Sequence, residues 1–438
     1  MNADPREKVT SHALIVWSAA VCVYIAAIFS RTSLGVAGVE AMDRFSIDAS
    51  RIAVFTAVQV GVYALAQIPA GILIDRRGPR FMLCAGALIM GIGQVIVAVT
   101  TSFGVAVAAR VLIGAGDATT FLSVMRLLPL WFPPKKAPVF SQMSGALGQI
   151  GQFLSAVPFI ALLHHQGWTR SFLLLGSSLF FVALAAIFLV RDKPAIVEQE
   201  LQEARSEDPT DGVRRIPLGR SLSLVISNPA SWLGFFIHST MMTQNLLTLL
   251  WGVPLVTLGM GGSSAQAGLM LTLNTVVIII SSPLHGVLSS RLGNKRAWWI
   301  LFGMLGITAA WIIFFLPATP RSIGAIMVVN TLQAAITPMS SFAFDFVREN
   351  TDTAVMATGT GVANMGGFVF TMLGAQVMGI AMDHSAVGGN YTWLDFRHGW
   401  LLALCLWIIS FAGFILFWIW CRRRGGSGVR VINQEPPR

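Results

Sequence analysis

Charge is scarce in this chain of 438 residues: Asp, Glu, Lys and Arg together make up 11% of it, whereas hydrophobic residues make up 55%. Soluble domains carry roughly 25% charged residues. A water-soluble fold of this size would therefore lack the side chains needed to solvate its surface. The composition indicates a protein whose solvent is hydrocarbon, where every backbone polar group must pair within the protein and helices are the favoured spanning structure.

Cysteine is equally rare. The four cysteines, Cys22, Cys84, Cys405 and Cys421, all lie in apolar runs and none forms a CxxC pair. This spacing argues against a disulfide framework and against a metal site. The sequence also lacks a P-loop lysine, an HExxH motif and a GxSxG motif. We therefore expect neither an enzyme nor a bound cofactor.

The net charge of +10 could suggest a nucleic-acid partner, but the basic residues form no single patch. They lie in short turns between apolar runs, which is the pattern of cytoplasmic loops in membrane proteins. This distribution predicts a lipid bilayer, and no nucleic acid, as a partner. The other predicted partner is a small-molecule substrate, and the protein is predicted to be a monomer.

Twelve apolar runs are long enough to cross a bilayer, since a spanning helix needs roughly 20 residues. The predicted spans are 13–34, 52–74, 81–99, 103–126, 139–163, 171–190, 230–257, 266–289, 297–316, 322–344, 354–382 and 399–421. The predicted fold is an all-α membrane protein with twelve transmembrane helices in two six-helix repeats. The predicted domains are a first bundle (1–190), a charged cytoplasmic linker (191–229), a second bundle (230–421) and a basic cytoplasmic tail (422–438).

Topology follows from the 30 Lys and Arg residues. Two of them, Arg31 and Arg110, lie inside predicted helices. The turns of one side hold only Arg44, Arg51, Arg170, Arg321 and Arg397. All the others lie on the side of the two termini, so both termini are predicted to be cytoplasmic.

Polar side chains inside the predicted helices are the candidate functional residues, because such groups are costly in a bilayer and usually face partners or a water-filled cavity. Residues of the types Asp, Glu, Arg, Lys, His, Asn and Gln fall on eight of the helices, whereas predicted helices 3, 6, 9 and 12 together contain only one of them, Gln94, and are expected to face lipid. Residues seven apart share a helix face. This spacing pairs Tyr24 with Arg31, and Arg110 with Asp117. The alternative for each polar residue is a hydrogen bond that only holds the bundle together.

Two motifs resemble those of the major facilitator superfamily. The run Gly71-x-x-x-Asp75-Arg76-x-Gly78-x-Arg80 resembles its signature loop after the second helix, and Gly286 to Arg296 resembles the weaker second copy, with Arg291 retained. Arg110-x-x-x-Gly114-x-Gly116 is similar to a further motif of that superfamily on the fourth helix. The resemblance covers essentially the whole chain and implies two six-helix halves and transport without an attached motor.

The resemblance also implies a gating role for the loop residues. Gly71 and Gly78 would allow close packing and a tight turn. Asp75 would accept hydrogen bonds from a helix N-terminus or pair with an arginine. We expect a cytoplasmic latch, whose members would be Gly71, Asp75, Arg76, Gly78, Arg80, Gly286 and Arg291. The alternative is a charge cluster that only sets topology.

Within the superfamily, Tyr24 and Arg31 resemble the anion-binding part of helix 1 in the anion:cation symporters and organophosphate antiporters. The run Arg110 to Asp117, followed by Trp131-Phe132-Pro133-Pro134, resembles sialin and the vesicular glutamate transporters, which implies a proton-coupling role for Asp117. The chain departs from the organophosphate antiporters at Asn245, where they carry an arginine, and this argues against a doubly charged phosphate substrate.

These observations lead to a hypothesis of proton-coupled uptake of a small organic anion by alternating access. Arg31 with Tyr24 would bind the carboxylate, and Asp117 with Arg110 would couple protons. The residues expected to set substrate shape are Gln59, Tyr63, His238, Asn245, Asn274, Asn330 and Asn364. The alternatives are efflux of amphipathic compounds and a transporter-like membrane sensor.

Overall fold

The computed structural model describes residues 6–200, 216–386 and 391–425, and the regular structure within these ranges is entirely helical. The α-helices of eight or more residues, numbered in chain order, are α1 (Ser11–Val36), α2 (Gly38–Phe45), α3 (Ala49–Arg77), α4 (Pro79–Val99), α5 (Phe103–Trp131), α6 (Ala137–Leu154), α7 (Ile160–Leu189), α8 (Leu218–Ile226), α9 (Pro229–Leu246), α10 (Ser264–Leu292), α11 (Arg296–Phe315), α12 (Ile323–Ile336), α13 (Phe342–Asn350), α14 (Met356–Ser385) and α15 (Trp393–Gly425).

Ten helical stretches among the described residues are long and apolar enough to cross a membrane. One of them, Ala137–Leu189, has 53 residues and covers predicted helices 5 and 6. It breaks at Gly167, whose φ of 74° is a left-handed conformation that glycine adopts readily. Predicted helix 7 coincides with the helical stretch from Pro229 to Gly259, which is not among the ten. Each predicted span therefore overlaps a helical stretch.

Several helices depart from regular α-geometry close to proline. π-helical turns occupy Ser155–Phe159, Leu247–Trp251 and Leu255–Gly259, and a 3-10 turn occupies Thr337–Ser341. Pro158 and Pro338 lie inside two of these turns. Proline has no N–H to donate and crowds the preceding turn, so the regular hydrogen-bond ladder is interrupted there.

Helix α2 is a short element that the search for spanning runs did not predict, because its eight residues are too few to cross a bilayer. It ends at Ser46, which has a positive φ of 51°. Its Arg44 donates hydrogen bonds to the carbonyls of Val99 and Thr100 at the end of α4, at 3.2 and 3.0 Å. Arg44 therefore satisfies carbonyls that the end of a helix leaves without partners.

The chain groups into two compact units. The first comprises Met1–Leu222, Ser282–Arg291 and Ala354–Gly361, as far as these residues are described, and the second comprises Ser223–Ser281, Leu292–Thr353 and Val362–Arg438, with the same restriction. The domain boundaries expected from the sequence stay predictions. Of the expected linker, residues 201–215 lie outside the described residues, as does the tail beyond 425.

In the first unit, small residues let helices approach closely. A Cβ placed on Gly151 of α6 would lie 2.3 Å from the carbonyl oxygen of Ile25 on α1. Gln94 of α4 donates to the carbonyl and the hydroxyl of Ser30 on α1, at 2.9 and 2.7 Å. Gln94, the one Gln in the helices expected to face lipid, therefore helps to hold α1 against α4.

In the second unit, a core of large aromatic and aliphatic residues lies between α11, α14 and α15. The ring of Phe315 stacks on the rings of Trp311 and Trp400, with centroids 5.9 and 5.2 Å apart. Trp393 packs against Phe314 and Phe315 at the same end. Aromatic pairs of this kind add to the stabilisation that burial itself provides.

Candidate functional site

A buried ion pair joins α1 to α5 inside the first unit. The Nε atom of Arg31 lies 3.5 Å from Oδ2 of Asp117. The Asp117 side chain is 1% exposed and that of Arg31 is 18% exposed, so one face of the arginine stays accessible. The sequence predicted both residues as functional, and the structure brings them together.

Arg110 lies seven residues before Asp117, on the same face of α5, and its side chain is also buried. Its Nη2 atom donates to the carbonyl oxygen of Arg31 at 2.9 Å. Its Nε and Nη1 atoms, and both carboxylate oxygens of Asp117, have no hydrogen-bond partner in the described part of the chain. Buried polar groups are almost always hydrogen-bonded in native proteins, so this set is open to a ligand or to water.

Two tyrosines flank Arg31: Tyr24, which the spacing of the sequence paired with it, and Tyr63 of α3, which it did not. The guanidinium carbon of Arg31 lies 5.1 Å from the centre of the Tyr63 ring, which is a cation–π contact. Arg31 is also within hydrogen-bonding reach of the Tyr24 and Tyr63 side chains. Gln59, four residues before Tyr63 on α3, is buried and its Nε2 atom has no partner among the described residues. Two predicted substrate-binding residues, Tyr24 and Tyr63, therefore flank a third, Arg31, and Gln59 lies one helical turn from Tyr63.

Gly114 explains how α3 and α5 come close enough to form this cluster. A Cβ at this position would lie 2.8 Å from the Gln59 carbonyl oxygen, a distance that real Cβ atoms do not show. Gly114 lies between Arg110 and Asp117 on their shared face of α5. Any larger residue there would push α3, and with it Gln59 and Tyr63, away from the charge pair.

The second unit holds a polar set without charges. Asn330 Oδ1 accepts hydrogen bonds from Asn274 Nδ2 at 3.1 Å and from Thr248 Oγ1 at 2.9 Å, while Asn330 Nδ2 donates to the Met270 carbonyl at 3.0 Å. The structure therefore brings the predicted residues Asn274 and Asn330 together. These bonds leave Asn330 little capacity for a ligand and favour a role in holding α10 against α12.

His238 and Asn245, seven residues apart on α9, differ from Asn330 in being incompletely satisfied. Both side chains are buried, and neither His238 Nδ1 nor Asn245 Oδ1 has a hydrogen-bond partner among residues that the structure describes. The His238 ring lies 5.2 Å from the ring of Phe344. Asn364 is also buried, on α14. Of the predicted polar residues of this unit, Asn274 and Asn330 thus bond to each other, whereas His238 and Asn245 keep hydrogen-bonding capacity to spare.

The carboxylate of Asp75, at the end of α3, binds the beginning of α14. Oδ1 accepts from the Ala357 N–H at 3.0 Å, and Oδ2 accepts from the Thr358 N–H at 2.9 Å and from the Thr358 hydroxyl at 2.8 Å. Arg126 Nε lies 3.4 Å from Oδ1. An acid that satisfies the first N–H groups of a helix and neutralises its positive end is a favourable arrangement. All four groups belong to the first unit.

The motif glycines lie where no side chain fits. A Cβ on Gly71 would lie 2.6 Å from the Thr358 Cα, and one on Gly286 would lie 2.6 Å from the Val139 Cα. Gly78 has a φ of +87°, and a Cβ on this residue would also collide with the carboxylate of Asp192. The two copies of the motif therefore use their first glycine in the same way, to allow contact between helix backbones.

The motif arginines differ in their contacts. Arg80 N–H donates to Asp192 Oδ1 at 2.8 Å, and its Nη2 donates to the Ile187 carbonyl near the end of α7. Arg76 Nη2 donates to the Ile216 carbonyl at 3.2 Å. Arg291 is exposed, and no hydrogen bond or ion pair of its side chain occurs within the described ranges. Two residues of the expected linker (191–229), Asp192 near its start and Ile216 within it, thus contact the end of α3 and the start of α4.

Sequence reasoning missed several partners. Arg126 was counted only among the charges that set topology, although it lies beside Asp75. Thr248 and Thr358 are single hydroxyls in apolar runs, and nothing in the spacing of the sequence separates them from ordinary helix residues. The pairing of Arg31 with Asp117 was also beyond reach, because periodicity relates residues within one helix and not across two.

The ten candidate spans and the charged pair buried among them fit a membrane transport protein, since such charges usually belong to a substrate or ion pathway. The chain belongs to the Major Facilitator Superfamily: the family model matches residues 20–375. The protein is therefore a multi-pass protein of the cell membrane, and the fold expected from the sequence is confirmed.

Two relatives carry names of organic-acid transporters. A probable L-galactonate transporter of Escherichia coli is 26% identical over 60% of this chain, and the match spans only 52% of that relative. A probable sulfoacetate transporter of Cupriavidus necator is 23% identical over 78% of this chain and 83% of the relative. Among solved structures, the fucose:proton symporter of Escherichia coli has a TM-score of 0.67 at 14% identity, over 92% of this chain and 99% of that one, which supports the fold alone.

Proposed function

We propose that this transporter carries a small organic anion across the membrane by alternating access, in symport with protons. The observation that carries the proposal is the buried contact between Arg31 and Asp117, 3.5 Å apart, with Arg110 nearby. A charge inside a membrane protein is costly and usually belongs to a substrate or proton pathway.

The charges of this cluster favour an anionic substrate. Arg31 and Arg110 outnumber Asp117, so the cluster keeps one excess positive charge when Asp117 is ionised and two when it is protonated. The relatives named above support a carboxylate, since L-galactonate and sulfoacetate both carry one. Arginine presents planar paired N–H groups that match a carboxylate.

Competition for Arg31 would couple the proton to the substrate. In the described state the Asp117 carboxylate lies against Arg31 Nε. Protonation of Asp117 would remove that attraction and leave the guanidinium to the carboxylate of the substrate. Release of the proton would restore the internal pair and expel the anion. Substrate and proton would then bind together, as symport requires.

The remaining predicted residues would shape the site. Tyr24 and Tyr63 hold the Arg31 guanidinium, and the Gln59 amide offers an unpartnered donor beside them. In the second unit, His238 and Asn245 keep acceptors free for hydroxyl groups of a substrate. Asn274, Asn330 and Asn364 would support the positions of those groups.

Gating is proposed for the loop between α3 and α4. Asp75 holds the first turn of α14 through three hydrogen bonds, and Gly71 allows the close contact beside it, while Gly286 allows a separate close contact of α10 with α6. Alternating access would require these contacts between α3 and α14 to break and form again. Arg76, Gly78, Arg80 and Arg291 would act with them at the same predicted cytoplasmic side.

The test begins with purified protein, whose thermal stability is screened against a panel of small organic acids to identify the substrate. Asp117→Asn is then compared with wild type in proteoliposomes. We expect the variant to retain counterflow exchange and to lose accumulation driven by a pH gradient. Asp43→Asn, the same change at an exposed position, is the control and should behave as wild type. Accumulation by Asp117→Asn at the wild-type level would refute the coupling role.

A further inference from the structure

An exposed aromatic and basic surface lies at the start of α11, in the second unit and apart from the polar sets described above. Lys295, Trp298, Trp299 and Phe302 line an open notch of about 580 Å³. We refer to these four residues as the Trp298 notch. Their numbers follow an i, i+3, i+4, i+7 pattern, which places them on one face of the helix.

One of two adjacent cations faces this notch, and the other does not. Arg296 is buried, and its Nη1 atom lies 2.6 Å from Glu349 Oε2. Lys295, one position earlier, is exposed and makes no ion pair within the described ranges. The charge of Arg296 is thus neutralised inside the protein, whereas that of Lys295 is presented at the surface.

A second helix extends the same surface. The Trp298 ring lies 4.9 Å from the Trp418 ring of α15 in an edge-on contact. The guanidinium carbon of Arg422 lies 5.9 Å from the centre of the Trp418 ring. The aromatic rings are therefore flanked by a cation from α11 and a cation from α15, at one end of both helices.

The position of the notch along α11 is that of a membrane interface. The 20 residues of α11 span about 30 Å, which is the thickness of the hydrocarbon core. Lys295 immediately precedes the helix and Trp298 and Trp299 occupy its first turn. Tryptophan is enriched at headgroup level, and the distribution of Lys and Arg predicts this end to be cytoplasmic, the side on which basic pockets recognise anionic lipids.

We propose that the Trp298 notch binds the headgroup of an anionic phospholipid. The Lys295 ammonium pairs with the phosphate, with Arg422 adding positive charge from α15. The indole N–H groups of Trp298 and Trp299, which donate no hydrogen bond to any described residue, are available to phosphate or ester oxygens. Phe302, one turn deeper and 65% exposed, lies against the acyl chain. Among the described residues, no acidic side chain lines the notch to oppose the headgroup charge.

Native mass spectrometry of the full chain, titrated with phosphatidylglycerol or phosphatidylcholine, tests this site. We expect one phosphatidylglycerol to bind more tightly than phosphatidylcholine, and Lys295→Gln to weaken it about fivefold, the effect of roughly 1 kcal/mol per basic residue near a membrane surface. Lys135→Gln is the matched control, because Lys135 is also exposed at the predicted cytoplasmic side but has no aromatic notch.

The outcomes separate clearly. Trp299→Ala should also weaken phosphatidylglycerol, while circular dichroism shows both variants folded as wild type. Equal affinity of the two lipids for wild type would overturn the proposal, as would an equal loss in Lys135→Gln. Displacement of the lipid by excess inorganic phosphate would mean a site for free anions and would also overturn it. None of these readouts depends on substrate transport, so the proposed function can fail independently.

Discussion

At the scale of single residues, Asp117 depends on Arg31. Asp117 is almost fully buried, and Arg31 Nε lies 3.5 Å from its carboxylate. Removing one partner of a buried ion pair leaves a charge without compensation and costs about 3–5 kcal/mol. The stabilising effect of the pair is smaller than this, because both groups lose hydration when they are buried.

Arg31→Gln should therefore lower the melting temperature of the purified protein and abolish stabilisation by the substrate. The double variant Arg31→Gln/Asp117→Asn should recover part of the lost stability, because the Asp117 carboxylate is no longer left without Arg31 and the cluster keeps the one excess positive charge it has in wild type, now on Arg110. It should not recover substrate binding. Thermal unfolding in detergent, with and without substrate, measures both effects. If the double variant were as unstable as the single one, the charges would not act as a pair.

The sequence predicted the members of this cluster but not their arrangement. Because a charge is costly inside a membrane, Arg31, Arg110 and Asp117 were each predicted to be functional. Their spacing of seven residues paired Arg110 with Asp117. The contact that matters most, between Arg31 and Asp117, crosses from α1 to α5. It depends on helix packing, which no spacing within one helix encodes.

At the scale of helices, α5 offers two glycines with opposite surroundings. Gly114 has the Gln59 carbonyl 2.8 Å from the place of a Cβ, whereas nothing lies within 4 Å of that place at Gly104. Alanine is favoured over glycine inside a helix by about 1 kcal/mol. The two positions therefore allow the close contact of α3 with α5 to be separated from helix propensity.

Gly114→Ala should lower thermal stability and weaken substrate binding, because α3 must move away and take Gln59 and Tyr63 with it. Gly104→Ala should leave both properties unchanged or raise stability slightly. Thermal unfolding and substrate titration of the two variants check this. Equal behaviour of the two would show that the close contact has no part in forming the site.

A separate prediction concerns the contact of Asp75, at the end of α3, with the start of α14. Asp75→Asn places an amide where two N–H groups and a hydroxyl now donate, and hydrogen bonds to a charged group contribute about 1.5–3 kcal/mol each. Hydrogen exchange of the segment around Ala357 and Thr358 should become faster in this variant. The control Asp43→Asn should leave hydrogen exchange of this segment unchanged. Unchanged exchange in Asp75→Asn would argue against a stabilising role of Asp75 at the start of α14.

Helix positions were predictable because apolar length is a strong signal, and all twelve predicted spans overlap helices. Irregular turns were not, since the breaks around Ser155–Phe159 and Leu255–Gly259 depend on local packing as well as on proline. Helix α2 and the continuation of α5 to Trp131 through Pro129 were also missed. Neither changes the number of apolar runs.

At the scale of the whole molecule, the proposed function depends on a cycle that would couple a proton to an anion. The uneven distribution of Lys and Arg predicts the orientation in the membrane, and family membership defines the protein as a transporter. The buried Arg31–Asp117 pair is the part of the molecule that would convert a proton gradient into accumulation of an anion.

The most direct measurement of this claim is uptake of the organic acid selected by the stability screen into proteoliposomes that hold wild-type protein. With the outside more acidic than the inside, we expect the organic acid to accumulate inside above its external concentration. We expect this accumulation to collapse when a protonophore is added. If the acid entered only to its equilibrium level, or if the protonophore left accumulation unchanged, proton-coupled transport would be contradicted.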